Sequence, residues 1–235
     1  MKSVNSSTLR SKDRTSFRVD AEQGRSSNFV SAHVDQYFED AISILQKIDR
    51  SQVETMIRIL LKIRAMGGRL FFLGVGGSAG NCSHAVNDFR KIGGFEAYTP
   101  TDNVSELTAR TNDEGWQTVF VEWLKTSRLN EKDCVFVLSV GGGDKVKNIS
   151  ANLVYALEYA KEVKARILGV VGRANGFSAQ VADSCVVVPM ANPSTLTPHA
   201  EAFQGVIWHL LVSDPRIMQI RNKWESVSSS GGYSK

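Results

Sequence analysis

The spacing of apolar residues changes near residue 69, from helical to continuous, and this divides the chain into a helical lead-in and an alternating α/β region. Between Val30 and Ile48 the residues Val34, Phe38, Ile42, Ile44 and Leu45 fall near helical spacing, which predicts a helix with one apolar face. Ser51 followed by Glu54 reads as a capping box for a second helix carrying Met56, Ile59, Leu60 and Ile63, and Gly67-Gly68 stops it. From there the pattern predicts a strand over 69–73, a helix over about 79–92, a short strand around Glu96 to Tyr98, and helices near 104–110 and 115–127. A strand over 134–139, a helix over 146–163 and strands over 166–171 and 185–189 follow. Cys134 to Leu138 and Cys185 to Val188 are apolar without interruption, as strands buried on both faces of a parallel sheet are. The fold class expected is therefore α/β: a three-layer α/β/α sandwich on a five-stranded parallel sheet, preceded by two helices. Thr197 reads as the cap of a last helix, with Pro198 at its first position and Leu211 near its end.

Two glycine-rich loops leave strand ends, Gly74 to Gly80 and Ser139 to Asp144, and in parallel sheets ligands bind beyond those ends. They read as two walls of one pocket. The first presents backbone N–H groups and a helix N-terminus, with Ser78 adding a hydroxyl at the helix mouth, so its chemistry suits a phosphate or a polyol. Gly74, Gly76 and Ala79 also satisfy G-x-G-x-x-G/A, but two helices precede this strand and the next strand ends in Tyr98-Thr99-Pro100 with no acidic residue, which argues against a dinucleotide.

With 235 residues and 42% hydrophobic content, the chain suits one domain over 29–225, between an N-terminal extension (1–28) and a C-terminal tail (226–235), both expected to be disordered. The net charge of +4 is no mark of nucleic-acid binding, because residues 1–27 hold six basic side chains against three acidic ones and so account for +3 of it. No apolar leader and no run near the roughly 18 apolar residues of a membrane span is present, so a cytoplasmic protein without a membrane partner is expected. Cys82, Cys134 and Cys185 read as reduced thiols.

Chemistry concentrates on two predicted helices. His84 and Asp88 stand four apart and project from one helix face, a spacing that suits a divalent metal, an acid–base pair, or a packed interface residue. Glu201 and His209 on the last helix are eight apart, about 12 Å along the axis. Both could reach one ion only from its two sides, or with a neighbouring subunit supplying one ligand.

The order of these features, from the helix pair through Gly-Val-Gly-Gly-Ser, His84, Asn112-Asp113 and the loop after Ser139 to the Glu201…His209 helix, resembles the SIS (sugar isomerase) family over roughly residues 30 to 213. Within it, the likeness is to the phosphoheptose isomerases. The resemblance implies an isomerase that converts sedoheptulose 7-phosphate to D-glycero-D-manno-heptose 7-phosphate in surface-carbohydrate synthesis. It also implies one zinc per site and homotetramers with sites at subunit interfaces. It assigns Val75, Gly76, Gly77 and Ser78, with Asn112 and Asp113, to substrate; His84, Asp88, Glu201 and His209 to zinc; and Asp88, Glu201 and His209 to catalysis. The phosphate hydroxyls of the family fall at Ser139, Val140, Gly141 and Asp144.

This chain departs from the family at several of these positions. Asp88 replaces a Glu and Glu201 a Gln, so a carboxylate has been redistributed and either could be the base. Only Ser139 keeps a hydroxyl in the phosphate loop; backbone N–H groups of Gly141 to Gly143 with Lys145 or Lys147 could replace the others, Asp144 acting as a helix N-cap turned away. Two other readings follow: a non-catalytic SIS module that senses a sugar phosphate or docks a partner, and an isomerase for another phosphosugar.

Overall fold

The computed structural model describes residues 31–220. The whole of the expected N-terminal extension and of the C-terminal tail lie outside them. Two helices, α1 (Ala32–Lys47) and α2 (Arg50–Ala65), lead into β1 (Leu70–Leu73), α3 (Gly77–Lys91), β2 (Ala97–Tyr98), α4 (Val104–Asp113) and α5 (Val119–Thr126). Then come β3 (Cys134–Ser139), α6 (Ala151–Glu162), β4 (Arg166–Val171), α7 (Phe177–Val181), β5 (Ser184–Val187) and α8 (Leu196–Ser213).

All strand pairs are parallel, in the order β2-β1-β3-β4-β5. Alternate residues of each strand feed opposite cores. Phe72, Phe136, Leu168, Val170 and Val186 pack with α2, α3 and α8, whereas Phe71, Leu73, Val135, Val137 and Ile167 pack with α5 and α6. Every residue of β1 and β3 is buried, as the uninterrupted apolar runs require. The three-layer sandwich and its two leading helices are as the apolar spacing predicts.

Three local expectations give way, and one short helix was not foreseen. α2 is capped by Asp49, whose carboxylate accepts from the Ser51 N–H and hydroxyl, because Asp49 stands one residue before the helix and Ser51 already lies inside it. Pro193 opens a short 3-10 turn, so α8 starts at Leu196 after Thr195, and Pro198 is its third residue. The helix after β3 starts at Ala151, five residues later than its apolar pattern suggests. α7, five residues long, is too short to show a period.

The amino ends of the strands are closed by polar pairs, which leaves the carboxyl ends for chemistry. Asp133, 1% exposed just before β3, accepts from the backbone N–H, Nε and Nη2 of Arg69 just before β1, and from Asn130. That contact holds the Arg69 guanidinium above its ordinary pKa. Arg166 and Asp183 pair in the same way between β4 and β5. Replacing Asp133 by Ala would strand the buried Arg69 N–H and its partly buried charge, so a loss of about 2–4 kcal/mol is expected in urea unfolding. A change below about 0.5 kcal/mol would show that this end of the sheet is held otherwise.

Candidate active site

β1 ends at Leu73 and the chain turns through Gly74-Val75-Gly76 into α3. Gly76 takes φ +63°, ψ −129°, open to glycine but strained for other residues, and no side chain caps the helix. Val75, Gly76 and Gly77 lie exposed on the rim. Ser78 does not: it is 2% exposed, and its hydroxyl accepts from Gln204 Nε2 at 3.0 Å. A hydroxyl at the helix mouth was the expectation, but the second residue of α3 points inward, against α8.

That contact belongs to a network that sets α3 against α8. Asn81 donates to Gln204 Oε1 at 2.8 Å and to the Glu201 backbone oxygen at 2.9 Å. Gln204 is fully buried, so each polar atom it engages would lose its partner if the amide were removed. Beside it, a Cβ on Gly77 would fall 2.6 Å from both carboxylate oxygens of Glu201. Glycine is thus what admits this carboxylate to the start of α3, where the helix dipole favours an anion.

Two turns further along, the same packing brings together His84, Asp88 and His209, each offering a ligand atom within 4.8 Å of the others. Asp88 Oδ2 lies 3.8 Å from His84 Nε2 and 3.6 Å from His209 Nε2. These distances exceed a hydrogen bond and approach the separation of about 3.3 Å between donors around a tetrahedral ion with 2.0 Å bonds. Asn87 donates to Asp88 Oδ1 at 2.9 Å, which leaves Oδ2 facing the imidazoles. Trp208 backs both rings, with ring centroids 4.6 Å from His84 and 3.4 Å from His209. Asp88 is buried while both imidazoles are open to solvent, so a ligand can approach from one side. Two imidazoles and a carboxylate suit a divalent cation. Glu201, near the opposite end of the α3/α8 contact, is not in this group. Asn112 and Asp113 lie at the exposed end of α4, bonded to one another at 2.7 Å, and are not in it either.

The second loop forms a separate cavity. Expected to face the first loop, it faces the β4–α7 loop across about 330 Å³ lined by Val140, Gly141, Gly143, Asp144, Lys147 and Arg173, among others. The start of α8 touches the first loop and the β4–α7 loop: Glu201 lies against Gly77, and Ala200 Cβ is 3.0 Å from where a Cβ on Gly172 would fall. Gly142 and Gly143 take φ +73° and +80°. The Gly142 N–H donates to Ser139 Oγ, and Ser178 donates to the Gly142 oxygen through both its N–H and its hydroxyl. Asp144 is not a helix N-cap: its N–H and carbonyl pair with Ile149, and its Oδ1 accepts from the Val146 and Lys147 N–H groups at 2.9 Å, closing a six-residue excursion before α6. The residue at the mouth of α6 is Ser150, left-handed at φ 50°, which the sequence pattern passed over. Lys145 is committed to Glu158. Arg173, on the far wall, carries no sequence signal of its own.

A five-stranded parallel sheet with two leading helices, glycine loops at its carboxyl ends and an α3/α8 side-chain cluster defines the class of this α/β sandwich. The chain belongs to the SIS domain family, whose model matches residues 36–172. It is 31% identical over 150 residues to the phosphoheptose isomerase of Rhodospirillum rubrum, covering 62% of this chain and 74% of that one. Against the phosphoheptose isomerase of Syntrophotalea carbinolica the identity is 26% over 187 residues, covering 75% and 89%. The structure of a phosphoheptose isomerase from Neisseria gonorrhoeae superposes with a TM-score of 0.66 at 22% identity, covering 77% of this chain and 96% of that one, and shares the fold.

Gln204→Leu would leave the Ser78 hydroxyl and the Asn81 amide without their buried partner. A loss of about 1–3 kcal/mol is expected in chemical denaturation; unchanged stability would mean that α3 and α8 are set by apolar packing alone.

Proposed function

We propose that this protein is an aldose–ketose isomerase converting sedoheptulose 7-phosphate to D-glycero-D-manno-heptose 7-phosphate through an enediol, in heptose and surface-carbohydrate synthesis. The observation that carries the reading is the convergence of His84, Asp88 and His209 from two helices packed on one face of the sheet, in a chain whose relatives include phosphoheptose isomerases. The reaction moves one proton between adjacent carbons and one between their oxygens.

His84, Asp88 and His209 would hold one zinc ion, and their donor set fits it. Zinc bound there supplies a Lewis acid that polarises the substrate carbonyl. Asp88, steadied by Asn87, serves as ligand, and its charge offsets that of the ion. Glu201 is then the base: its carboxylate is held beside Gly77, on the exposed rim where a sugar can lie, and it takes the proton from the carbon next to the carbonyl. His209, half exposed, moves the proton between the oxygens. Val75 to Gly77 and the Asn112-Asp113 pair meet the sugar, Ser78 steadies the loop from behind, and the phosphate lies at the loop of Ser139, Val140, Gly141 and Asp144.

The assembly is a homotetramer with its sites at subunit interfaces. Leu45 of α1 and Val206 and Leu210 of α8, all exposed, line one groove of about 470 Å³, and Leu210 adjoins His209 on the chain. A partner covering that apolar groove would stand at the edge of the site. No described helix is long and apolar enough to cross a membrane, and burial raises the thiol pKa of Cys82 and Cys134. Buried protonated thiols suit a reducing, cytoplasmic location. A second reading, a non-catalytic phosphosugar sensor, is favoured by the loss of hydroxyls at Val140 and Gly141.

Glu201→Gln is expected to lower turnover by about 10²-fold or more while zinc content stays at wild-type level. Asp88→Asn and His209→Ala should lower both turnover, by a similar factor, and zinc affinity in calorimetric titration, by about tenfold or more. Near-normal turnover in all three variants would remove these assignments, and wild-type zinc uptake by Asp88→Asn and His209→Ala would exclude the cluster as the metal site.

A further inference from the structure

The geometry points to Lys147 and Arg173 as a pair of cations that holds the phosphate of the substrate, replacing the hydroxyls this chain lacks. The inference rests on the isomerase reading for the identity of the sugar but not for the anion. Both residues line the cavity of about 330 Å³ at the carboxyl ends of β3 and β4, and they belong to different loops. Neither has an ion-pair partner among the described residues, whereas Lys145, two positions from Lys147, is taken by Glu158.

Asp144 lines the same cavity and supplies its only carboxylate. It is turned to a structural task, with Oδ1 accepting the N–H groups of Val146 and Lys147, so that it fixes the base of the lysine it precedes by three. Two cations against one anion leave the cavity net positive. Its floor is backbone: the Gly141 and Gly143 N–H groups donate to nothing among the described residues, and the positive φ of Gly142 and Gly143 is needed to shape them. Free backbone donors with two unpaired cations are the complement of a phosphate dianion, and the cations supply the charge that hydroxyls do not.

The position of the cavity accords with the chemistry. Gly172, next to Arg173, packs on Ala200, and Ala200 precedes Glu201. A sugar anchored by its phosphate between Lys147 and Arg173 therefore extends past the start of α8 toward the carboxylate that takes its proton.

The test is Lys147→Gln, Arg173→Gln and their double variant in the full-length protein, with Lys145→Gln as control and Lys147→Arg as rescue. KM for sedoheptulose 7-phosphate is expected to rise about tenfold in each single variant and further in the double, with kcat within about threefold of wild type. Inorganic phosphate should lose its competitive inhibition in parallel, while Lys145→Gln and Lys147→Arg stay near wild type. KM values for both single variants within twofold of wild type would overturn the assignment. If the wild type turns over no phosphosugar, the isomerase reading fails, and calorimetric binding of sedoheptulose 7-phosphate and of inorganic phosphate decides the cation pair. Weaker binding by the double variant supports it. Equal binding by both proteins, or none by the wild type, overturns it.

Discussion

The register of α3 against α8 is the constraint on which the rest of the site depends. Gln204, fully buried, joins Ser78 and Asn81, and these three polar groups satisfy one another in an otherwise apolar layer. Shifting one helix by a residue would leave them all unpaired, at a cost no apolar contact there would return. That register places Glu201 against Gly77 at one end of the contact and His209 beside His84 and Asp88 about two turns on. Neither helix alone carries a site.

The sheet below makes this register possible. Parallel strands buried on both faces put every loop of one sense at the same end, and the ion pairs Arg69–Asp133 and Arg166–Asp183 close the other. The two glycine loops therefore emerge side by side from β1 and β3, which are neighbours in the sheet. The start of α8 lies against the first of them through Glu201 and Gly77, and against the β4–α7 loop through Ala200 and Gly172. Asp88 and Glu201 lie along the α3/α8 contact, while Lys147 and Arg173 line the cavity between the β3 and β4 loops.

The apolar pattern made the layers legible because burial on both faces leaves uninterrupted runs such as Cys134 to Leu138, and Gly67-Gly68 after an amphipathic run ends a helix. His84 and Asp88 were legible from their spacing, since four residues on a helix share a face. What escaped the pattern depends on groups distant in sequence or on backbone pairing. Ser78 turns inward because Gln204, 126 residues away, offers it an amide. Asp144 looks like a cap because it precedes an apolar stretch, but its bridge to Ile149 is made by backbone groups that every residue possesses. Arg173 follows a strand in a loop of ordinary composition, and only the fold shows that it lines the same cavity as Lys147. The separation of Glu201 from His209 along one helix was legible as a conflict, and the structure answers it by keeping Glu201 out of the histidine cluster.

The most direct test of the central claim, that this α3/α8 contact houses proton transfer on a heptulose phosphate, is NMR of sedoheptulose 7-phosphate incubated with the zinc-loaded protein in deuterated water. The account predicts the appearance of an aldose heptose 7-phosphate with deuterium at its second carbon, since the enediol exchanges its proton with solvent through Glu201. Binding of the sugar phosphate with no aldose formed and no deuterium taken up at either carbon would contradict it.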